Sequence, residues 1–124
     1  VAILVNPFGK RNSYSDIKAV LNEAGDVLYF SRADIPSDAR TPNPPMLKAY
    51  HIVPFRKEFL LRYALWEKGA LERIEFNEYL RILEKGYRIR AVQVESDALS
   101  VDTPEDLEFV RGKMPGDRFF PAYR

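Results

Sequence analysis

The chain contains no cysteine and only one histidine, His51. Disulfides, thiolate metal sites and a cysteine nucleophile are therefore excluded. A lone histidine does not by itself argue for a metal centre. Neither sign of charge prevails: 19 Lys and Arg face 18 Asp and Glu. Duplex binding calls for a strongly basic face, so nucleic acid is not expected as a partner. Long apolar runs are missing too, as is any signal-peptide pattern, so the default is a cytoplasmic protein without a membrane partner. The six glycines are scattered, mostly at element ends, and form no phosphate-cradling loop. Ser-His-Asp catalysis has no supporting local motif.

What is present suits one compact α/β domain of 124 residues, 46% hydrophobic and 30% charged. Val1-Ala2-Ile3-Leu4-Val5 is apolar without alternation, the pattern of a strand buried on both faces. Such a strand at an open terminus needs neighbours, which leads us to expect a fragment of a larger sheet. Asn6 to Ser15 reads as a loop. Asp16 to Leu21 and Asp26 to Arg32 alternate about the turn residues Asn22-Glu23-Ala24-Gly25 and predict an antiparallel hairpin. Four prolines in residues 33–46 rule out a regular element there. Leu47 to Phe55 predicts a strand, Lys57 to Glu67 a helix with Phe59, Leu60, Tyr63 and Ala64 as its apolar stripe, and Ala70 to Lys85 a second helix. In that second helix Leu71, Ile74, Leu80 and Leu83 supply the buried side and Gly86 the stop. Tyr87 to Val94 is a strand with Arg88 and Arg90 on its exposed side. Thr103 then caps a helix that starts at Pro104 and runs to about Arg111. The tail from Pro115 is rich in aromatics, and Phe119, Phe120 and Tyr123 are expected to dock on the body or on a partner chain.

Four residues stand out chemically. Asp102 precedes the capped helix at the carboxyl edge of a sheet, where ligands of open α/β folds bind. It either contributes to a magnesium shell or merely flanks the helix start. Arg32 closes the hairpin and either clamps a carboxylate or is a solvated surface arginine. Glu78, with Glu72 and Glu75, either contacts sugar hydroxyls or belongs to a solvated helix face. His51 is read as a strand residue.

Ile17-Lys18-Ala19-Val20-Leu21-Asn22, Gly25 and Leu28-Tyr29-Phe30-Ser31-Arg32-Ala33-Asp34-Ile35-Pro36 resemble the hairpin and following loop of the CMP-Kdo synthetase family. Leu71-Glu72-Arg73-Ile74-Glu75, Glu78-Tyr79-Leu80-Arg81-Ile82-Leu83-Glu84-Lys85-Gly86-Tyr87-Arg88-Ile89 and Val101-Asp102-Thr103-Pro104-Glu105-Asp106-Leu107-Glu108 resemble its long helix, next strand and closing motif, in the family's order. The resemblance implies the C-terminal part of a mononucleotide-binding nucleotidyltransferase fold with a hairpin extension. Residues 1–124 would form the sugar-binding and dimerising portion, with the N-terminal nucleotide-binding part absent and the chain alone turning over no CTP. The family's reaction is magnesium-dependent transfer of CMP from CTP to a 3-deoxy-2-keto sugar acid, by a homodimer, for lipopolysaccharide or surface-polysaccharide synthesis. Asp102 matches a catalytic, magnesium-binding aspartate; Arg32 and Glu78 match residues that contact the sugar acid. Ala49, Val53 and Tyr79 depart from a histidine, a tyrosine and a glutamine of the sugar pocket, and His51 shares the face of 49 and 53 and is expected to reach that pocket from a shifted position. An altered acidic sugar follows as the expectation. A non-catalytic module of the same descent and a synthetase for a nonulosonate are the alternatives.

Overall fold

The structure, a computed structural model, describes residues 1–95, 99 and 101–123. Its centre is β1 (Ala2–Phe8), in which Ile3 and Val5 are fully buried. The strand runs past the predicted end at Val5 because Asn6, Pro7 and Phe8 pair with Lys48, Leu47 and Met46 of β4 (Met46–Ala49). Pro7 is tolerated there because, beyond Val5, β1 pairs with β4 on one side only. The chain itself supplies both neighbours of β1: β4 lies antiparallel and β5 (Arg90–Gln93) parallel. The buried strand at the amino end is thus paired on both edges within this chain.

β2 (Lys18–Leu21) and β3 (Val27–Ser31) form the predicted hairpin and complete a five-stranded sheet in the order β3-β2-β4-β1-β5. The Asn22 side chain accepts from the Asp26 N–H at 2.9 Å, and Gly25 takes a φ of +82°, which a side chain would strain. The turn folds onto β5. Val27 N–H donates to the Ile89 carbonyl and Ala91 N–H to the Gly25 carbonyl, both at 2.9 Å, and Arg90 pairs with buried Asp26 at 3.0 Å. The two outer strands thus meet at one corner.

The predicted strand over 47–55 ends at Ala49. Beyond it the backbone stays tied to β1 irregularly, through Tyr50 N–H to Leu4 and Ala2 N–H to the Pro54 carbonyl. Strand alternation therefore does not carry to His51 and Val53. α1 (Lys57–Ala64) buries Phe59 and Tyr63 partly in an aromatic cluster with Phe55, Trp66 and Tyr87, whereas Leu60 and Ala64, assigned to the same stripe, are exposed.

The long helix predicted over 70–85 is two helices, α2 (Ala70–Glu75) and α3 (Leu80–Glu84). Phe76 between them is left-handed, with φ 50° and ψ 48°. A non-glycine residue pays about 1–2 kcal/mol for that conformation. The break turns Ile74, assigned to the core, outward, while Leu80 and Ile82 of α3 are fully buried. Long-range contacts hold it: Arg81 grips Glu72 with Nε and Nη2 at 2.7 and 2.6 Å and donates to the Trp66 carbonyl at 3.0 Å. Phe76 is 78% exposed, so little packing depends on it. Phe76→Gly is expected to raise the unfolding free energy by up to about 1 kcal/mol in urea denaturation. The relief of left-handed strain is partly offset by the greater freedom of glycine in the unfolded chain.

α4 (Pro104–Lys113) begins as predicted, with Thr103 and Asp106 capping each other reciprocally. In the tail Phe119 remains 54% exposed instead of docking on the body. The side chain of Tyr123, and Arg124, lie outside the described residues.

Candidate functional site

Arg32 follows the last residue of β3 and is half-buried. Its backbone is pinned from both sides. Its N–H donates to Glu75 Oε2 at 3.0 Å, and its carbonyl accepts from Lys18 Nζ. Its guanidinium reaches the carbonyls that the end of α2 leaves unpaired, with Nε on Glu75 at 2.9 Å and Nη2 on Phe76 at 3.1 Å, while Nη1 binds the Tyr14 carbonyl at 2.9 Å. A guanidinium carries five N–H groups, so these contacts leave one on each terminal nitrogen. Arg32 is thus a framed arginine, not a loose surface one.

Lys18 of β2 is 0% exposed. Its ammonium donates to the carbonyls of Ser13 at 2.7 Å, Asp16 at 2.9 Å and Arg32, with Asp34 at 3.6 Å. Burial pushes its pKa down, and Asp34 opposes that.

Asp102 and His51 line one cleft of about 230 Å³ together with Ser15, Asp16, Lys48 and Ala49. An adjoining cleft of about 230 Å³ shares Asp102, Asp16 and Lys48 and adds Lys10 and Asp106. Burial tends to raise the Asp16 carboxyl, but hydrogen bonds from Lys48 and from Ser13 Oγ (2.5 Å) outweigh it and hold the group below the usual range. The cap of α4 is made by Thr103 and Asp106, so the exposed Asp102 carboxylate is not consumed by it. His51 is exposed and stacks on the Tyr79 ring at 6.2 Å and 30°.

Glu78 lies elsewhere, in a cleft of about 510 Å³ at the α2–α3 break, beside Lys68, Arg73, Phe76 and Arg81. The structure therefore brings Asp102 and His51 together but leaves Arg32 and Glu78 outside their cleft. Segment 76–79 links the groups: Phe76 accepts from Arg32, Glu78 follows it, and Tyr79 carries His51. Ala49 and Tyr79 are buried at 1% and 8% exposure, packed into the core. Among the described residues no three acidic or histidine side chains cluster to hold a metal. Magnesium needs only one or two protein carboxylates when phosphates and water complete its shell. Asp102 can supply one.

Sequence reading missed Glu75 and Lys18. Glu75 looked like part of a solvated helix face, yet its carboxylate receives Ser31 Oγ at 2.8 Å and the Arg32 N–H. Nothing in the local spacing marks it. Lys18 carried a faint signal, a lone charge inside the apolar run Ile17-Lys18-Ala19-Val20.

A solved structure described as CMP:2-keto-3-deoxy-manno-octonic acid synthetase complexed with CTP superposes with a TM-score of 0.81 at 32% identity, covering 93% of this chain and 48% of that one. The fold is that of an α/β nucleotidyltransferase. A family model described as cytidylyltransferase matches residues 3–89, which include Arg32, His51 and Glu78 but not Asp102. The chain belongs to this cytidylyltransferase family. Among curated relatives, the 3-deoxy-manno-octulosonate cytidylyltransferase of Solibacter usitatus is 48% identical over 95 residues, 76% of this chain and 38% of the relative. That of Syntrophus aciditrophicus is 42% identical over 101 residues, 81% and 41%. The chain thus spans about two fifths of the length of these relatives.

Proposed function

We propose that these residues serve in an enzyme that transfers CMP from CTP to a 3-deoxy-2-keto sugar acid with release of pyrophosphate, and that this chain carries its sugar-acid recognition. The observation that carries the reading is the framed Arg32, held with two N–H groups to spare inside a segment similar to 3-deoxy-manno-octulosonate cytidylyltransferases. Two parallel N–H donors suit a carboxylate. In the reaction the anomeric hydroxyl of the sugar acid attacks the α-phosphorus of CTP, and positioning and charge neutralisation do most of the work. Magnesium, with Asp102 as one ligand, would supply that neutralisation at the phosphates. A role in lipopolysaccharide or surface-polysaccharide synthesis, a cytoplasmic location and a homodimer belong to the same proposal.

The burial of Ala49 and Tyr79 favours a sugar other than 3-deoxy-manno-octulosonate, because Ala49 offers the cleft no polar group and Tyr79 is packed against the core. The same burial is the observation behind the second reading, a non-catalytic module of this descent. Isothermal titration with 3-deoxy-manno-octulosonate tests both the clamp and the choice of sugar. Arg32→Ala should weaken binding by about tenfold or more, the scale of losing a charged hydrogen-bonded pair. Equal affinity in the variant and the wild type would sink the carboxylate clamp, and ordinary tight binding by the wild type would sink the altered sugar.

A further inference from the structure

We propose that Glu75 is the positioning residue for Arg32: its carboxylate sets the end of β3 against the end of α2, so that the guanidinium presents its two remaining N–H groups to a ligand carboxylate. This rests on the reading of Arg32 as the sugar-acid clamp. Both oxygens of Glu75 face the end of the hairpin. Oε1 accepts from Ser31 Oγ at 2.8 Å and from Tyr29 Oη at 3.4 Å, and Oε2 accepts from the Arg32 N–H at 3.0 Å. Ser31 Oγ accepts in turn from the Ala33 N–H at 3.0 Å, which extends the grip into the following loop. The main chain of the same helix end then receives the arginine side chain, through the Glu75 and Phe76 carbonyls.

The helix break makes this possible. In a helix continuing through Phe76 the Glu75 carbonyl would accept from the N–H four residues on. The left-handed Phe76 interrupts that ladder and leaves both carbonyls orphaned. Orphaned carbonyls at a helix C-terminus attract a cation, and Arg32 is the cation that Glu75 has brought there. Side chain and main chain of one helix end thus grip backbone and guanidinium of one arginine. Strain in a sparsely populated region persists where its surroundings over-determine it, and these contacts supply that.

The test uses the 124-residue chain with Glu75→Ala, Glu75→Gln and Arg32→Ala. The Nε–H resonance of Arg32 reports the guanidinium without any ligand. In the wild type it should be protected from solvent exchange, and Glu75→Ala should lose at least about tenfold of that protection. Glu75→Gln retains one oxygen for Ser31, so it should stay folded by circular dichroism and show intermediate protection. The affinity for 3-deoxy-manno-octulosonate should fall about tenfold in Glu75→Ala. The double variant with Arg32→Ala should lose no more than Arg32→Ala alone, whereas a merely structural role would add its own loss. Unchanged protection in Glu75→Ala and Glu75→Gln overturns the proposal, as does full affinity in a variant whose Arg32 has become exchangeable. A wild type that binds neither 3-deoxy-manno-octulosonate nor another 3-deoxy-2-keto sugar acid while its Arg32 protection depends on Glu75 overturns the sugar-clamp reading and leaves the positioning role supported.

Discussion

Lys18→Met is expected to lower the unfolding free energy by about 3–5 kcal/mol, the cost of removing one partner from a buried charged network. Methionine reproduces the lysine stem as far as Cε and lacks only the nitrogen, so cavity formation contributes little. What is lost is the ammonium that donates to Ser13, Asp16 and Arg32 and faces Asp34. Three carbonyls gathered around one fully buried nitrogen cannot turn to water, and a buried acceptor left unpaired costs about 1–3 kcal/mol. Equilibrium urea unfolding checks the figure. A loss below about 1 kcal/mol, the scale of an exposed pair, would show that water reaches these carbonyls once the ammonium is gone.

Glu72→Ala is expected to cost about 3 kcal/mol near neutral pH and to flatten the acid limb of stability. The pair it breaks is nearly buried and bidentate, with Arg81 Nε and Nη2 on the two carboxylate oxygens at 2.7 and 2.6 Å. Arg81 also stacks over the Tyr63 ring at 4.7 Å and holds the Trp66 carbonyl, so the pair ties α1 to both halves of the broken helix. The Arg81 hydrogen bonds hold the Glu72 carboxyl below its ordinary 4.5. The unfolded chain therefore takes up a proton on this group at a pH where the folded chain does not. The pair's stabilisation is present in full above about pH 4.5 and is lost as pH falls through the lower folded value. Denaturation at pH 7 and across the acid range should show the wild type and Glu72→Ala converging as pH drops. Parallel curves would mean that Glu72 keeps its ordinary pKa in the fold.

The candidate site was legible unevenly, because its parts depend on different ranges of the chain. Arg32 could be singled out from its place at the end of a hairpin, but its five-way engagement could not, since the partners Glu75 and Phe76 lie 43 and 44 residues away. His51 was expected to reach the pocket by strand alternation. It lies instead beyond the strand, and it shares a cleft with Asp102 because the irregular backbone after Ala49 stays tied to β1. Glu78 was grouped with Glu72 and Glu75 by helical spacing. The left-handed Phe76 parts them, so that one pairs with Arg81, one grips the hairpin and one lines an open cleft.

By itself the sequence determined the elements whose cause is local. The hairpin follows from alternation about Asn22 to Gly25, and the start of α4 from Thr103, Pro104 and Asp106 within one turn. The α/β class and the family membership follow from the order of such segments. Only the tertiary structure decided where the long helix breaks, how deep Lys18 sits and which acid serves Arg32. The break carries no proline or glycine to announce it. Arg81 on Glu72 and Arg32 on the freed carbonyls stabilise it, and such contacts exist only once distant segments have packed. Lys18 sits on its strand as an ordinary lysine would, and burial followed because loop carbonyls from either side of β2 closed over its ammonium.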